Sequence, residues 1–543
     1  MNSLKPMLLT SLKSYDRTQF VKDVTAGIIV AIIALPLSIA LALASGVGPE
    51  AGIFTAIVAG FVISALGGSS VQIAGPTAAF ATIVAGIVAK DGLDGLVIST
   101  ILAGIFLILM GLCHFGSLIK FIPYTITTGF TSGIAVTIVI GQLKDFFGVT
   151  YPDGVKPIET TEKFKAFIEN ISTMNTAALI VGIVSLAILI ISPVIFKKIP
   201  GSLIAVIVGI LMVKFLPLKV STIGNLYTIS NLLPAFHLPA VNLHIIENAL
   251  PNAFTIAVLA AIESLLSCVV ADGMINGKHR SDMELVAQGA GNIASALFGG
   301  IPATGAIART AANIKNGGRT PVAGVVHAVV LLLIFLFLMP LINLVPMACL
   351  AGVLIMVSYN MSGWRTVKAI LKTPKSDVTV MIVTFLLTVV FDLTIAIELG
   401  LLLAILLFLR RVMENTEIHH FGEQIDIAEG QEVNTHEILN LEQGVEVYEI
   451  DGPFFFGVAT KFDDMMRSMG DKPLVRILRM RKVPFIDSTA IHNLEILIKS
   501  SQKEGIHVVL SGVRDNVHLA LEKARVEALV GKDHVCDHIT KAV

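Results

Sequence analysis

Two ionisable residues and two breaks stand where an apolar chain has least use for them. Glu263 lies in the otherwise uncharged run Phe254–Cys268. A carboxylate at bilayer depth costs about 2.5–3.5 kcal/mol on insertion scales and marks function by default. Desolvation disfavours the charged form of a carboxyl, so Glu263 is a candidate to take up and release a proton near neutral pH. Ser267 follows at i+4, on the same helix face. Arg309 follows the Pro302 break of the stretch Ile301-Pro302-Ala303-Thr304-Gly305-Ala306 by about two turns. It could attract an anion or neutralise Glu263 in the absence of one. Pairing of Glu263 with Arg309 merely to lock two helices is the competing reading. A second broken stretch, Gly75-Pro76-Thr77-Ala78-Ala79-Phe80, lies in the other half of the apolar region.

In lipid, backbone N–H and C=O groups must be satisfied within the protein, so such breaks are tolerable only where they are buried or line a cavity. Half-helices beginning just after Pro76 and just after Pro302 would present free N–H groups and the positive dipole end to the midplane. Proline suits the first helical turn because its missing N–H is not needed there. Two helix N-termini facing one gap make an anion site without a side-chain charge. Ordinary proline kinks are the alternative, and paired breaks in the two halves of a membrane chain favour a site.

These segments need a membrane scaffold, and the composition supplies one. The chain has 543 residues, 54% hydrophobic and only 15% charged, with mean hydropathy +0.82. Crossing ~30 Å of hydrocarbon takes about 20 apolar residues. Twelve windows meet that requirement: 24–44, 51–66, 95–113, 124–142, 176–196, 201–216, 250–271, 283–299, 321–340, 343–360, 377–391 and 393–409. The broken segments near 72–89 and 302–315 bring the expected total to fourteen. With the N-terminus cytoplasmic, fourteen crossings place His114 to Lys120, Lys197/Lys198, Lys278/Arg280, Lys315/Arg319, Arg365 to Lys375 and Arg410/Arg411 inside. That is the cation bias the positive-inside rule requires. Asp272, Asp377 and Asp392 fall at span ends as boundary charges, and His327, near the start of a span, is expected to be a packing histidine with its hydrogen bonds satisfied.

Several functions are disfavoured. A net charge of −1 and no basic, aromatic-interleaved patch argue against nucleic acid. Cys113, Cys268, Cys349 and Cys536 show no paired spacing, so neither a disulfide framework nor a metal site is expected. Gly273-Met-Ile-Asn-Gly277-Lys278 is too short for a phosphate-binding loop. No enzyme constellation and no cofactor are expected, and the polar, basic stretch 1–22 does not read as a removable signal peptide.

Beyond Arg411 the composition changes. Residues 412–443 are polar and acidic and read as a linker between a membrane domain (23–411) and a C-terminal domain (444–543). Val445–Ile450, Leu474–Met480 and Ile506–Leu510 read as strands, with Ala459–Met469, Ser488–Lys503 and Val517–Leu529 as helices, giving a small α/β domain. After an even number of crossings it is cytoplasmic.

The run Asp23-Val-Thr-Ala-Gly-Ile, Leu35-Pro36-Leu37, Ser45-Gly-Val-Gly-Pro-Glu-Ala-Gly-Ile-Phe-Thr, Gly67-Gly-Ser-Ser, Ala74-Gly-Pro-Thr-Ala, Gly129-Phe-Thr-Ser-Gly and Asn313-Ile-Lys-Asn-Gly-Gly-Arg-Thr-Pro resembles the sulfate permease (SulP) anion-transporter family along the whole chain. The C-terminal domain resembles a STAS domain. The resemblance implies two inverted seven-span repeats, an elevator-like core moving against a gate, and homodimers. It places the anion pocket on Thr77, Ala78, Ala79 and Phe80 with Ala303, Thr304, Gly305 and Ala306, and the coupling site on Glu263 with Ser267 one turn on. Sodium-coupled bicarbonate members carry Asp where this chain has Glu263, so the resemblance implies a proton rather than sodium. Ile262-Glu-Ser-Leu-Leu-Ser, the Asp272-Gly-Met segment and Ala303-Thr-Gly-Ala-Ile-Ala-Arg look most like bacterial inner-membrane transporters of four-carbon dicarboxylates such as succinate and fumarate, while similar sequences are sulfate permeases. Phe485-Ile-Asp487-Ser488-Thr489-Ala490 resembles the phosphoacceptor turn of anti-sigma antagonists, with Thr489 at the phosphorylated place, Ala490 replacing the usual Gly, and a cytoplasmic protein as the implied partner. A plain cap, with Asp487 or Ser488 as N-cap of the following helix, is the other reading.

Overall fold

The computed structural model describes residues 4–543 apart from 118–122, 153, 156, 196–199, 217, 228–232, 234, 237–238, 240–242, 392, 427–437, 459–460, 463–464 and 466–472. The chain forms two compact units, Met1–Leu401 and Leu402–Val543.

Most of the long helices of the first unit are apolar nearly all round, a pattern that only burial or lipid tolerates. Each of the fourteen windows overlies a helix. Among the described residues eight helices are long and apolar enough to cross a membrane. Others are shorter, such as Ser281–Leu297 with 17 residues and Lys375–Val390 with 16. The windows 72–89 and 95–113 lie on one 35-residue helix, Ala78–Leu112, which Gly92 divides with φ 72° and ψ −172°. Those angles suit glycine, so the division falls where the sequence provides it.

Helix Ser281–Leu297 lies directly on Ala78–Leu112. A Cβ at Gly104 would stand 2.7 Å from the Gly289 carbonyl oxygen and 2.6 Å from Ile293 Cγ1, so the glycine is what lets the two helices approach this closely. The opening helix, Arg17–Ala44, is fastened by buried Asp23, whose carboxylate accepts from the Tyr15 hydroxyl (3.0 Å), Gln19 Nε2 (2.8 Å), the Arg319 and Thr320 N–H groups (2.9 and 3.4 Å) and Thr320 Oγ1 (2.6 Å). Burial, then the Asp23 contact, pushes the Tyr15 phenol up to about 12, which keeps it a donor at physiological pH.

In the second unit Glu417–Phe421, Val445–Asp451, Val475–Lys482, His507–Ser511 and Val535–Cys536 form a five-stranded sheet in that order. Its first pair is antiparallel and the other three are parallel. The segment expected to be linker therefore supplies an edge strand, Glu417–Phe421, and both strands of a second ladder, Gln424–Asp426 with Ile438–Asn440. Helix Ser488–Lys503 falls where expected, whereas the expected helix 517–529 is two, Asp515–Lys523 and Val526–Val530, parted by Arg525 at φ 59°. Most of the helix expected at 459–469 lies outside the described residues.

Buried Glu449 is held by Arg479 Nη1 and Lys482 Nζ, each at 2.8 Å. Burial alone would lower the Lys482 ammonium, but its bonds to Asp451 and Glu449 outweigh that and hold it above the usual lysine range. Arg479 is itself 2% exposed, so Arg479→Met leaves the Glu449 carboxylate half-paired in a dry site. Breaking such a pair costs about 3 kcal/mol. The expected result is a lowered thermal midpoint for this unit in the detergent-purified chain, and an unchanged midpoint would refute it.

Candidate functional site

The two broken segments meet. Ala74–Gly75 and Thr304–Gly305 form a two-residue antiparallel ladder, Ala74 opposite Gly305 and Gly75 opposite Thr304. The Ala306 N–H extends it by donating to the Ile73 carbonyl at 2.9 Å. The first strand leads through Pro76 into helix Ala78–Leu112, which starts where the sequence places it. The second differs. Helix Ile307–Lys315 begins with Ala306 as N-cap, not just after Pro302. Ladder geometry wins over the proline signal here, because Thr304 and Gly305 must be extended to pair.

Both helix starts lack a side-chain cap. Ala306 has no group to offer. Thr77, at the N-cap of the first helix, is of a type that normally caps, yet its Oγ1 donates to Glu263 Oε2 at 2.9 Å and bonds no N–H of its own helix. The Phe80 N–H turns back to the Thr77 carbonyl at 3.3 Å, and no side chain caps the remaining first-turn N–H groups of either helix, which are left for another acceptor. Thr77, Glu263 and Ala306 are half-buried, and Ile307 and Ala308 are exposed.

The remaining expected residues are packed away. Ala78, Ala79, Phe80, Ala303, Thr304 and Gly305 are all buried, so in this conformation they offer backbone rather than side chain. Thr304 Oγ1 donates to the Ala260 carbonyl at 3.0 Å, pinning the ladder to the Glu263 helix, Leu243–Ile275. Ser267 is buried with its Oγ 3.4 Å from Thr310 Oγ1, which accepts from the Ile73 N–H at 3.0 Å; it braces the ladder and does not bond Glu263. Arg309 is buried and donates from Nη2 to the Pro76 carbonyl. Among the described residues no ion pair joins Arg309 to Glu263, so the helix-locking pair is not the arrangement here.

The matrix behind the ladder includes residues that the sequence reading passed over. Buried Glu284 accepts five hydrogen bonds, from Gly68 N (2.9 Å), Ser69 N (3.2 Å), Gln72 Nε2 (2.8 Å), Ser264 Oγ (3.2 Å) and Gln288 Nε2 (2.9 Å). Asn292 clamps Ala303 on both sides, accepting from its N–H at 2.8 Å and donating to its carbonyl at 2.9 Å. Asn313 Nδ2 holds the Val71 carbonyl at 2.8 Å. The signal was available, since Glu284, Gln288 and Asn292 recur at i, i+4 and i+8 and so share one face of an apolar helix.

A model of the sulfate permease family matches residues 20–384, and a STAS-domain model matches 439–542. The chain belongs to the sulfate permease family. YvdB of Bacillus subtilis, provisionally named a sulfate transporter, is 39% identical over 535 residues, 97% of this chain and 98% of its own. The bicarbonate transporter BicA of Picosynechococcus is 32% identical over 525 residues, 94% of this chain and 92% of its own. The structure of the murine Solute Carrier 26 family member A9 anion transporter superposes with TM-score 0.86 at 19% identity, covering 99% of this chain and 93% of that one, which shows the fold. The sulfate permease chain thus has the membrane-transporter fold with a C-terminal STAS domain. Neither YvdB nor BicA is named for a dicarboxylate.

In the STAS domain Asp487 is the N-cap of helix Ser488–Lys503. Its carboxylate accepts from Ala490 N at 2.8 Å and Phe456 N at 3.1 Å, leaving Thr489 exposed in the first turn.

Proposed function

We propose that this sulfate permease family member is a secondary active transporter of a small oxyanion of the sulfate or bicarbonate class, coupled to protons through Glu263. The carrying observation is the ladder that sets two uncapped helix N-termini beside a half-buried carboxyl. An anion seated between them accepts from backbone N–H groups and meets two positive dipole ends. Ionised Glu263 repels it, and a proton on Glu263 removes that repulsion, so anion and proton favour each other's binding. Arg309, bonded to the Pro76 carbonyl, adds positive charge behind the gap. The rest of the reading is an elevator-type exposure of this core to each side, in a homodimer of the bacterial inner membrane with cytoplasmic termini, two inverted repeats, and Thr489 as a regulatory position on the STAS surface.

The deciding experiment is uptake of labelled sulfate, bicarbonate, succinate and fumarate into sealed proteoliposomes, with an inward proton gradient or a sodium gradient. Proton-driven sulfate or bicarbonate uptake is expected. Proton-driven uptake of succinate or fumarate alone would restore the dicarboxylate assignment, and sodium dependence would remove the proton role. Flux indifferent to both gradients would indicate a channel, and binding without flux a receptor with STAS output.

A further inference from the structure

His327 does not behave as a packing histidine. It lies in helix Val322–Ile342 at 0% exposure, and neither Nδ1 nor Nε2 has a hydrogen-bond partner among the described residues. Arg309, at 2% exposure, keeps Nε and Nη1 in the same condition. The two side chains border one feature. A Cβ on Gly75 would collide with Arg309 Nη1, and one on Gly60 would lie 3.4 Å from the Ala74 carbonyl oxygen and 3.9 Å from His327 Nδ1. The ring and the guanidinium therefore both lie close to the strand Ala74–Gly75. Ser64 Oγ, also without a partner among the described residues, abuts Gly324, one turn before His327.

Each buried polar atom left unpaired costs about 1–3 kcal/mol, and native interiors rarely leave such groups without a protein or water partner. An imidazole there for its volume alone could be a phenyl ring at no such cost. Ordered water meets the requirement, since a buried water makes about three hydrogen bonds to groups of this kind. A neutral imidazole offers one donor and one acceptor, and the guanidinium adds donors that only an oxygen or nitrogen lone pair can accept.

We propose that His327 and Arg309 share ordered water beside the Ala74–Gly75 strand, and that His327 acts through it as a positioning residue holding the guanidinium at the oxyanion site. The assignment rests on the transport reading above for its consequence, and on geometry alone for the water. Water accepting from Arg309 while bonded to His327 gives the guanidinium a second anchor beside its bond to the Pro76 carbonyl.

Two measurements on the full-length protein test it. His327→Phe keeps the bulk and removes the hydrogen bonds, whereas His327→Gln keeps a donor and an acceptor. In proteoliposomes the Phe variant is expected to raise the KM for sulfate or bicarbonate about tenfold with kcat nearly unchanged, the mark of lost uniform binding, and Gln is expected to restore most of it. Equal KM values for Phe and Gln would overturn the positioning role. X-ray radiolytic labelling of the wild-type protein, which oxidises side chains beside bound water, needs neither variant to fold. Labelling at His327 that persists through brief exposure to isotopic water is expected, and an unlabelled His327 overturns the water. If the wild type moves no tested anion, the transport reading fails while the labelling result still judges the water.

Discussion

Glu263→Gln is expected to abolish the proton dependence of uptake while leaving the protein folded. Glutamine is nearly isosteric, and its carbonyl oxygen can still accept from Thr77 Oγ1, so the bond now at 2.9 Å survives. What it lacks is a proton to bind and release. The wild type should take up anion faster as external pH falls, because the protonated carboxyl no longer repels the substrate. The variant, permanently neutral at this position, should show a flat profile. Net uptake against a gradient should fall at least about a hundredfold, the lower end of what removing a positioned proton-transfer group costs. Exchange of labelled for unlabelled anion, which moves no net proton, should persist. An unchanged rate and pH profile would sink the coupling role of Glu263.

Glu284→Ala should be felt in the fold before it is felt in transport. The substitution strips one acceptor from five donors at once, in a site with no exposure. Unsatisfied buried donors cost about 1–3 kcal/mol each, so the sum rivals the 5–15 kcal/mol by which whole domains are stable. Loss of monodisperse protein in detergent is the expected outcome. Glu284→Gln should be intermediate, because it keeps one oxygen but turns an amide nitrogen toward groups that themselves donate. A Glu284→Ala protein that melts within a few degrees of wild type would mean that the network tolerates an empty centre.

The sequence disclosed the residues that meet at the candidate site more readily than the way they are put together. Glu263, Arg309 and the Pro76 break are visible because lipid makes charge and backbone defects costly, and that cost is local to the residue. The ladder between residues 74–75 and 304–305 is not visible. Two residues give no strand periodicity, and their partners lie in opposite halves of the chain. For the same reason the second helix was expected too early, because a proline marks where a helix can begin but a register fixed elsewhere decides where it does. Glu284, Gln288 and Asn292 were legible in principle from their spacing, whereas Gln72 has no such pattern and shows its role only when Glu284 Oε1 is found 2.8 Å from its Nε2. Glu417–Phe421 shows the converse, since a polar, acidic composition hid an edge strand.

The Ala74–Gly305 ladder also acts as a gauge. Neighbouring strands stand about 4.8 Å apart whatever their side chains, so the main chain fixes the separation of the two helix starts at their root. One cannot swing without the other unless the ladder breaks. On the transport reading proposed above, a motion that carries an anion across the bilayer would transport the jaws together, at constant width. Discrimination among anions of different size would then fall to the few atoms that project past the gauge, at Thr77 and Ala306, and substitutions there should alter which anion fits without altering how far it travels.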